Sequence, residues 1–232
     1  MEIILNDKPL IKVYNADCME ILKNTPDKFY DLAVVDPPYG GANNKEWESK
    51  PRGRFSTGRF AKYKIERTGG SWSKKYQKDN NIKHWDIAPD SEYFEELFRV
   101  SKEQIIWGGN YFGLPANRCF LIWEKLIPEK FSMAMAEYAW CSFNKNAKIF
   151  KYRPQDPNRF HPTQKPRALY HWIYKNYAKA GYKILDTYLG SGSSAIESYY
   201  SKLDFTGIEL DSGYFNSFLN RYKKETSQLS FL

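Results

Sequence analysis

Leu32-Ala33-Val34-Val35-Asp36-Pro37-Pro38-Tyr39 is the stretch whose reading decides the fold. Four consecutive apolar residues, two of them β-branched, read as a parallel strand buried on both faces. A Pro-Pro step can neither continue a ladder nor enter a helix directly, so the strand stops there in a stiff loop. Open α/β sheets place their ligands outside the carboxyl ends of such strands. The loop offers a carboxylate at Asp36, a carbonyl at Pro37 and an aromatic face at Tyr39. That set suits a planar amino group, with two acceptors for its protons and a ring for its heterocycle. A proline-stiffened loop in any α/β protein fits the same local pattern, so a second motif is needed.

Lys183-Ile184-Leu185-Asp186 is followed by Thr187-Tyr188-Leu189-Gly190-Ser191-Gly192-Ser193-Ser194, which reads as a strand, a glycine turn and a helix start. Glycines let the backbone approach a ligand closely, and the helix start presents free N–H groups. Asp204–Asp211 reads as the next strand, ending in the carboxylates of Glu209 and Asp211. An acid about twenty residues past a glycine turn is the arrangement that grips ribose hydroxyls. The dinucleotide pattern wants a third small residue where Ala195 stands, so spacing alone leaves a nicotinamide oxidoreductase open.

Together these pieces resemble the S-adenosylmethionine-dependent DNA amino-methyltransferases, in the permuted order where the catalytic tetrapeptide precedes the cofactor glycines. The resemblance spans nearly the whole chain. Asn15-Ala16-Asp17-Cys18 is similar to the family's acidic turn near the cofactor adenine, which implies Asp17 and Cys18 as cofactor residues. Asp36, Pro37, Pro38 and Tyr39 match the catalytic loop, with Asp36 also beside the cofactor. His161-Pro162-Thr163-Gln164-Lys165-Pro166 resembles the segment holding the methionine end, implying Thr163 and Lys165. Asp186, Gly190, Ser191 and Gly192 match the cofactor loop, and Glu209 with Asp211 the ribose site. Thr187-Tyr188 and Ser193 depart from the family's usual Pro-Phe and Thr, which touches fine cofactor affinity rather than the backbone shape.

The resemblance implies a circularly permuted Rossmann-like methyltransferase fold, and methyl transfer to N6 of adenine in double-stranded DNA after base flipping. It further implies DNA methylation of the restriction–modification kind. An N4-cytosine enzyme and a non-catalytic DNA-binding protein on the same fold stay open, and a leading Asp in the tetrapeptide leans toward adenine. Monomer and homodimer both stay open.

The 232 residues suffice for one domain with a full core, over 1–232. No apolar stretch approaches a membrane span, no signal-peptide core opens the chain, and Cys18, Cys119 and Cys141 lack C-x-x-C spacing. These features point to a cytoplasmic protein with reduced thiols. His84, His161 and His171 form no metal pattern; His84 and His171 read as structural, and His161 belongs to the Pro-rich segment His161–Pro166. Residues 41–83 hold twelve Lys/Arg and four acids, a surplus equal to the net charge of +8 of the entire chain. With Trp47, Phe55, Phe60, Tyr63, Trp72 and Tyr76 interleaved, this stretch reads as a DNA-contacting insertion. Arg52, Arg54, Arg59, Lys62, Lys74 and Lys75 are its candidate contacts.

The order of elements argues for an α/β fold. Strands are expected at Ile11–Tyr14, Leu32–Val35, Gln104–Trp107, Phe120–Trp123, Glu137–Phe143, Lys183–Asp186 and Phe205–Leu210. Helices are expected at Cys18–Lys23 (capped by Asp17), Ser91–Val100, Ala168–Tyr177, after Gly192 and near Tyr214–Lys224. Alternation of this kind gives a mainly parallel sheet with helices on both faces. Permutation would bring the termini together, and Gly108-Gly109-Asn110 reads as a structural turn more than a pocket wall.

If the basic stretch holds phosphates, log affinity for DNA falls with log salt at about 0.9 per phosphate neutralised. Replacing Arg52, Arg54 and Arg59 together by Gln is expected to flatten that slope. An unchanged slope would place the DNA contacts elsewhere.

Overall fold

The computed structural model describes residues 1–39, 87–129, 134–154 and 156–227. The basic stretch at 41–83, with its DNA-contact candidates, lies outside them. Nine strands form a single sheet: β1 (Glu2–Asp7), β2 (Leu10–Asn15), β3 (Tyr30–Val35), β4 (Ser101–Trp107), β5 (Phe120–Glu124), β6 (Ala136–Cys141), β7 (Lys148–Lys151), β8 (Lys183–Asp186) and β9 (Asp204–Glu209). Their order across the sheet is β1-β2-β9-β8-β3-β4-β6-β5-β7. From β2 through β9, β8 and β3 to β4 every pairing is parallel, while β6 runs antiparallel to both β4 and β5.

β3 shows why the fold follows from its apolar run. Alternate side chains of a strand point to opposite faces. Leu32 and Val34 pack on one side with Leu169 and Ile173 of α3 (Arg167–Tyr177), Ile196 of α4 (Ser193–Tyr200) and Phe215 of α5 (Ser212–Ser227). Ala33 and Val35 pack on the other with Leu22 of α1 (Cys18–Lys23) and Tyr93 and Leu97 of α2 (Ser91–Val100). A strand covered on both faces has no polar side to present, hence the unbroken apolar sequence. The helices are stopped and started by local chemistry: Asp17 accepts from Met19 N at the head of α1, and Asp90 from Tyr93 N at the head of α2.

The expected strands and helices all occur. β1 and β7 are additions to them, because a hairpin edge and a four-residue exposed strand bury too little to print a pattern. The strand expected at Glu137–Phe143 ends at Cys141, where Ser142 turns to hydrogen-bond β4 through Gln104. The termini do not meet among the described residues. The β1–β2 hairpin returns Met1 to Asn15 at the carboxyl edge of the sheet. α5 instead runs beside α4 toward the amino edge, where Tyr200 Oη donates to Glu225 O at 2.5 Å.

Gly192 caps α4 with φ +71°, and a Cβ there would lie 1.9 Å from Cδ2 of Phe218 on α5. Left-handed strain and a backbone-to-ring collision together should cost about 3 kcal/mol in Gly192→Ala. A lowered denaturation midpoint is therefore expected. A normal midpoint with weakened ligand binding would instead turn this glycine toward the cavity.

Candidate active site

One cavity of about 580 Å³, within the usual range for ligand sites, opens at the carboxyl edge of the parallel strands. β3 divides its wall. On the β8–β9–β2 side lie Thr187–Ser191, Glu209, Leu210 and the turn Ala16–Cys18; on the β5–β6 side lie Trp123, Lys125 and Glu137. Asp36, Pro37, Pro38 and Tyr39 sit between, and the segment His161–Lys165 also lines the cavity.

The glycine side is built on backbone hydrogen bonds. Glu209 accepts from Gly190 N (2.7 Å) through Oε2 and from Asp211 N (2.9 Å) through Oε1. Burial pushes its carboxyl up to about 7 against the pull of those two N–H groups. Gly190 holds φ +51°, and a Cβ there would touch the His161 ring at 3.3 Å. Burial, then Arg159 and Lys165, drive His161 down to about 3, so its imidazole is neutral, packed edge-on to Tyr214. Cys18 lines the cavity with its thiol pushed up to about 11 by burial and the neighbouring Asp17. Thr163 and Ser191 also line it.

Three expected cofactor residues stand behind the wall. Asp186, pushed up to about 6 mainly by burial, accepts from Ser194 Oγ (2.5 Å) and Tyr188 N (3.1 Å), tying the glycine turn to its strand. Gly192 is closed off by Phe218, and Asp211 caps α5 by accepting from Tyr214 N.

The Asp36–Tyr39 loop is more heavily tied than the sequence suggests. Tyr39 Oη donates to Asp36 Oδ1 at 3.0 Å, and Lys165 Nζ donates to Asp36 Oδ2. Lys165, expected on the cofactor, lines the cavity and points at the Asp36 carboxylate and at Glu137 Oε2, 3.3 Å away. Lys125 Nζ closes the series at 2.7 Å from Glu137 Oε1. Two cations and two anions thus alternate in a row whose lysines are buried and whose carboxylates are half-buried.

Burial raises the Asp36 carboxyl, opposed by Lys165 and reinforced by Glu137. For Glu137 burial also acts upward, but Lys165 and Lys125 overcome it and hold the carboxyl low. Burial and then Asp36 raise the Tyr39 phenol, which stays a neutral donor. Its ring stacks on Tyr111 at 4.7 Å. Gly108, at φ +68°, makes room for it, since a Cβ there would fall 2.0 Å from Tyr39 Cε1. The glycine turn read as structural is therefore what seats the Tyr39 ring.

Glu137, Lys125 and Trp123 escaped the sequence reading. The available signal was a Lys and a Glu flanking the loop between two largely apolar strands, but only the register of β5 on β6, with Trp123 opposite Glu137, brings them to the cavity. Among the described residues no group of three or more His, Cys, Asp and Glu could hold a metal ion, and no helix is long and apolar enough to cross a membrane.

The model of the N6/N4 DNA methylase family matches residues 58–220. The chain belongs to this family. The match takes in the glycine turn, Glu209 and Lys165, whereas Asp36–Tyr39 precede it and owe their place to the cavity. This methyltransferase is 22% identical over 265 residues to the type II methyltransferase M2.MboI of Moraxella bovis, covering 97% of this chain and 92% of that one. It is 24% identical to M.BglII of Bacillus subtilis, over 88% of this chain and 67% of the relative. Its Rossmann-like fold is shared with the M1.HpyAVI–SAM complex (TM-score 0.51, 19% identity, 92% of this chain and 98% of that one). The cytosine-N4-specific PvuII DNA methyltransferase has it too (TM-score 0.55, 12% identity, 93% and 90%).

Lys165→Met would leave two carboxylates facing each other, and breaking a buried pair in this way costs about 3–5 kcal/mol. Asp36, already raised by burial, also loses the cation that opposes the rise. On the expectation that Asp36 acts as a carboxylate, activity fails as pH drops through its pKa, and the acid limb of the rate profile should move to higher pH. A destabilised fold with an unmoved limb would make Lys165 a purely structural residue.

Proposed function

We propose that this methyltransferase moves a methyl group from S-adenosylmethionine to N6 of adenine in double-stranded DNA. The observation carrying the reading is Asp36, held by Tyr39 and Lys165 at the strand end between the glycine wall and the β5–β6 wall. The cofactor fits the glycine side. Gly190 leaves no Cβ in the way, Glu209 offers acceptors to ribose hydroxyls, and Gln164 Oε1 is buried without a partner. That oxygen suits the cofactor's α-ammonium, with Asp17, Cys18, Thr163 and Ser191 completing the wall. When bound, S-adenosylmethionine supplies an electrophilic methyl group on a sulfonium sulfur.

The chain's own residues prepare the amine. An exocyclic amino group is a poor nucleophile because its lone pair is delocalised into the ring. Accepting its protons at Asp36 and at the Pro37 carbonyl favours a pyramidal nitrogen. A carboxylate has about four lone-pair sites, and Tyr39 and Lys165 use two of them. The remaining capacity is fixed in direction, so alignment supplies most of the rate. Tyr111 stacks on Tyr39 and Phe112 lies at an angle to the same ring, so a base would stack where these leave Tyr39 open to the cavity. Reaching the nitrogen requires the nucleotide to leave the duplex, at a few kcal/mol. The basic stretch at 41–83 would hold the phosphates meanwhile. Adenine is favoured over cytosine by the leading Asp of the tetrapeptide, while the amine chemistry is common to both bases.

The test is to incubate plasmid DNA with enzyme and cofactor, digest it to nucleosides and identify the product by mass. N6-methyladenine is expected, and N4-methylcytosine as sole product would reverse the base assignment. Asp36→Ala should reduce methyl incorporation to background while calorimetric cofactor affinity stays near wild type. Near-normal incorporation would remove Asp36 from the reaction.

A further inference from the structure

The β5–β6 wall contains more charge than the catalytic loop needs. Asp36 requires one cation to be buried, and Lys165 supplies it. Glu137 and Lys125 form a second pair whose burial adds desolvation cost and leaves the charge balance unchanged. Both line the cavity beside Trp123, across β3 from the glycine turn. We propose that Lys125 donates a hydrogen bond to the ring nitrogen next to the target amine, with Glu137 as the positioning residue that aims it. This rests on the reading of the site as an amino-methyl transfer centre, and it adds the group that recognises the acceptor.

The ammonium is well placed for such a role. Lys125 is 6% exposed, and its backbone N–H closes the hairpin on Met135 O at 2.8 Å, which fixes the root of the side chain. Its Nζ lies 5.3 Å from the centroid of the Trp123 ring. An ammonium has three donors, and the Glu137 bond uses one. A flipped base is read along its Watson–Crick edge. In adenine and cytosine that edge sets an amino group beside a ring nitrogen with a free lone pair. Guanine and thymine set a carbonyl beside an N–H. Asp36 accepting and Lys125 donating match the first pattern. Against the second, the carboxylate meets an oxygen and the ammonium meets a hydrogen, each losing its bond inside a buried site. The row of charges is thereby a two-point test for an aminated base.

The probe is a short duplex carrying the target sequence mapped from methylated plasmid DNA. Its target base is either natural or replaced by the analogue lacking the ring nitrogen: 1-deazaadenine, or 3-deazacytosine if the product proves to be N4-methylcytosine. Wild-type kcat/KM is expected to fall about 10- to 100-fold on the analogue, the value of one charge-assisted hydrogen bond. Lys125→Met should lose a similar factor on the natural base and nothing further on the analogue. Glu137→Gln should behave likewise in milder form, with cofactor affinity unchanged in both variants. Losses that multiply, or a Met variant as fast as wild type, overturn the proposal. Undiminished wild-type transfer to the deaza base overturns it without any variant. Because the product base is identified first, an error in the adenine assignment changes only which deaza base is used. Absence of any transfer to DNA would overturn the methyl-transfer reading and this inference together.

Discussion

A carboxylate drawn out of water needs a cation, and the ion pair of Asp36 with Lys165 at the end of β3 organises the wall around it. Unpaired, the group would take up a proton and lose its value as an acceptor. Lys165, itself among the most buried side chains of the site, opposes this by pairing with Asp36. Glu137 is a second anion beside Lys165, and Lys125 balances Glu137. The row thus ties β3, β5, β6 and the segment before α3 into one arrangement, and a change in any of these elements reaches the carboxylate.

The sheet supplies the geometry that makes such a row useful. Five adjacent parallel strands, β2, β9, β8, β3 and β4, all end at the same edge, so their loops converge. Beyond β4 the direction reverses, and β6 enters with its start at that edge, delivering Glu137 where a parallel strand would have delivered its last residue. The change from parallel to antiparallel pairing is what lets one sheet build two unlike walls. One is a backbone-rich glycine turn with a single ribose-type acid. The other consists of paired charges laid over indole rings.

Local sequence rules explain the first wall well. Apolar runs ending in Asp-Pro-Pro or Asp-x-x-x-Gly announce strand ends and turns, and Asp17 announces a helix start through its cap. Their limits show at Asp186, Gly192 and Asp211. Motif position placed all three among the cofactor residues, yet packing sets each behind the wall, holding the turn or the helices that shape it. A glycine needed for helix packing and a glycine needed for ligand approach are the same letter in the sequence. Phe218 on the neighbouring α5 distinguishes them.

The sequence by itself determined the α/β class, the strand and turn carrying Asp36, the glycine turn with Glu209, and the chemistry of an amine acceptor. These depend on contacts between near neighbours and on periodicity along one segment. Only the tertiary structure decided that Lys165 serves Asp36, that Gly108 seats Tyr39, and that Lys125 and Glu137 belong to the site at all. Those relations join residues 129 positions apart for Lys165 and Asp36. They arise from which strands lie side by side and in which register. Ion pairs in a protein interior have no periodicity and no local signature. They become visible when the fold has excluded water from around them.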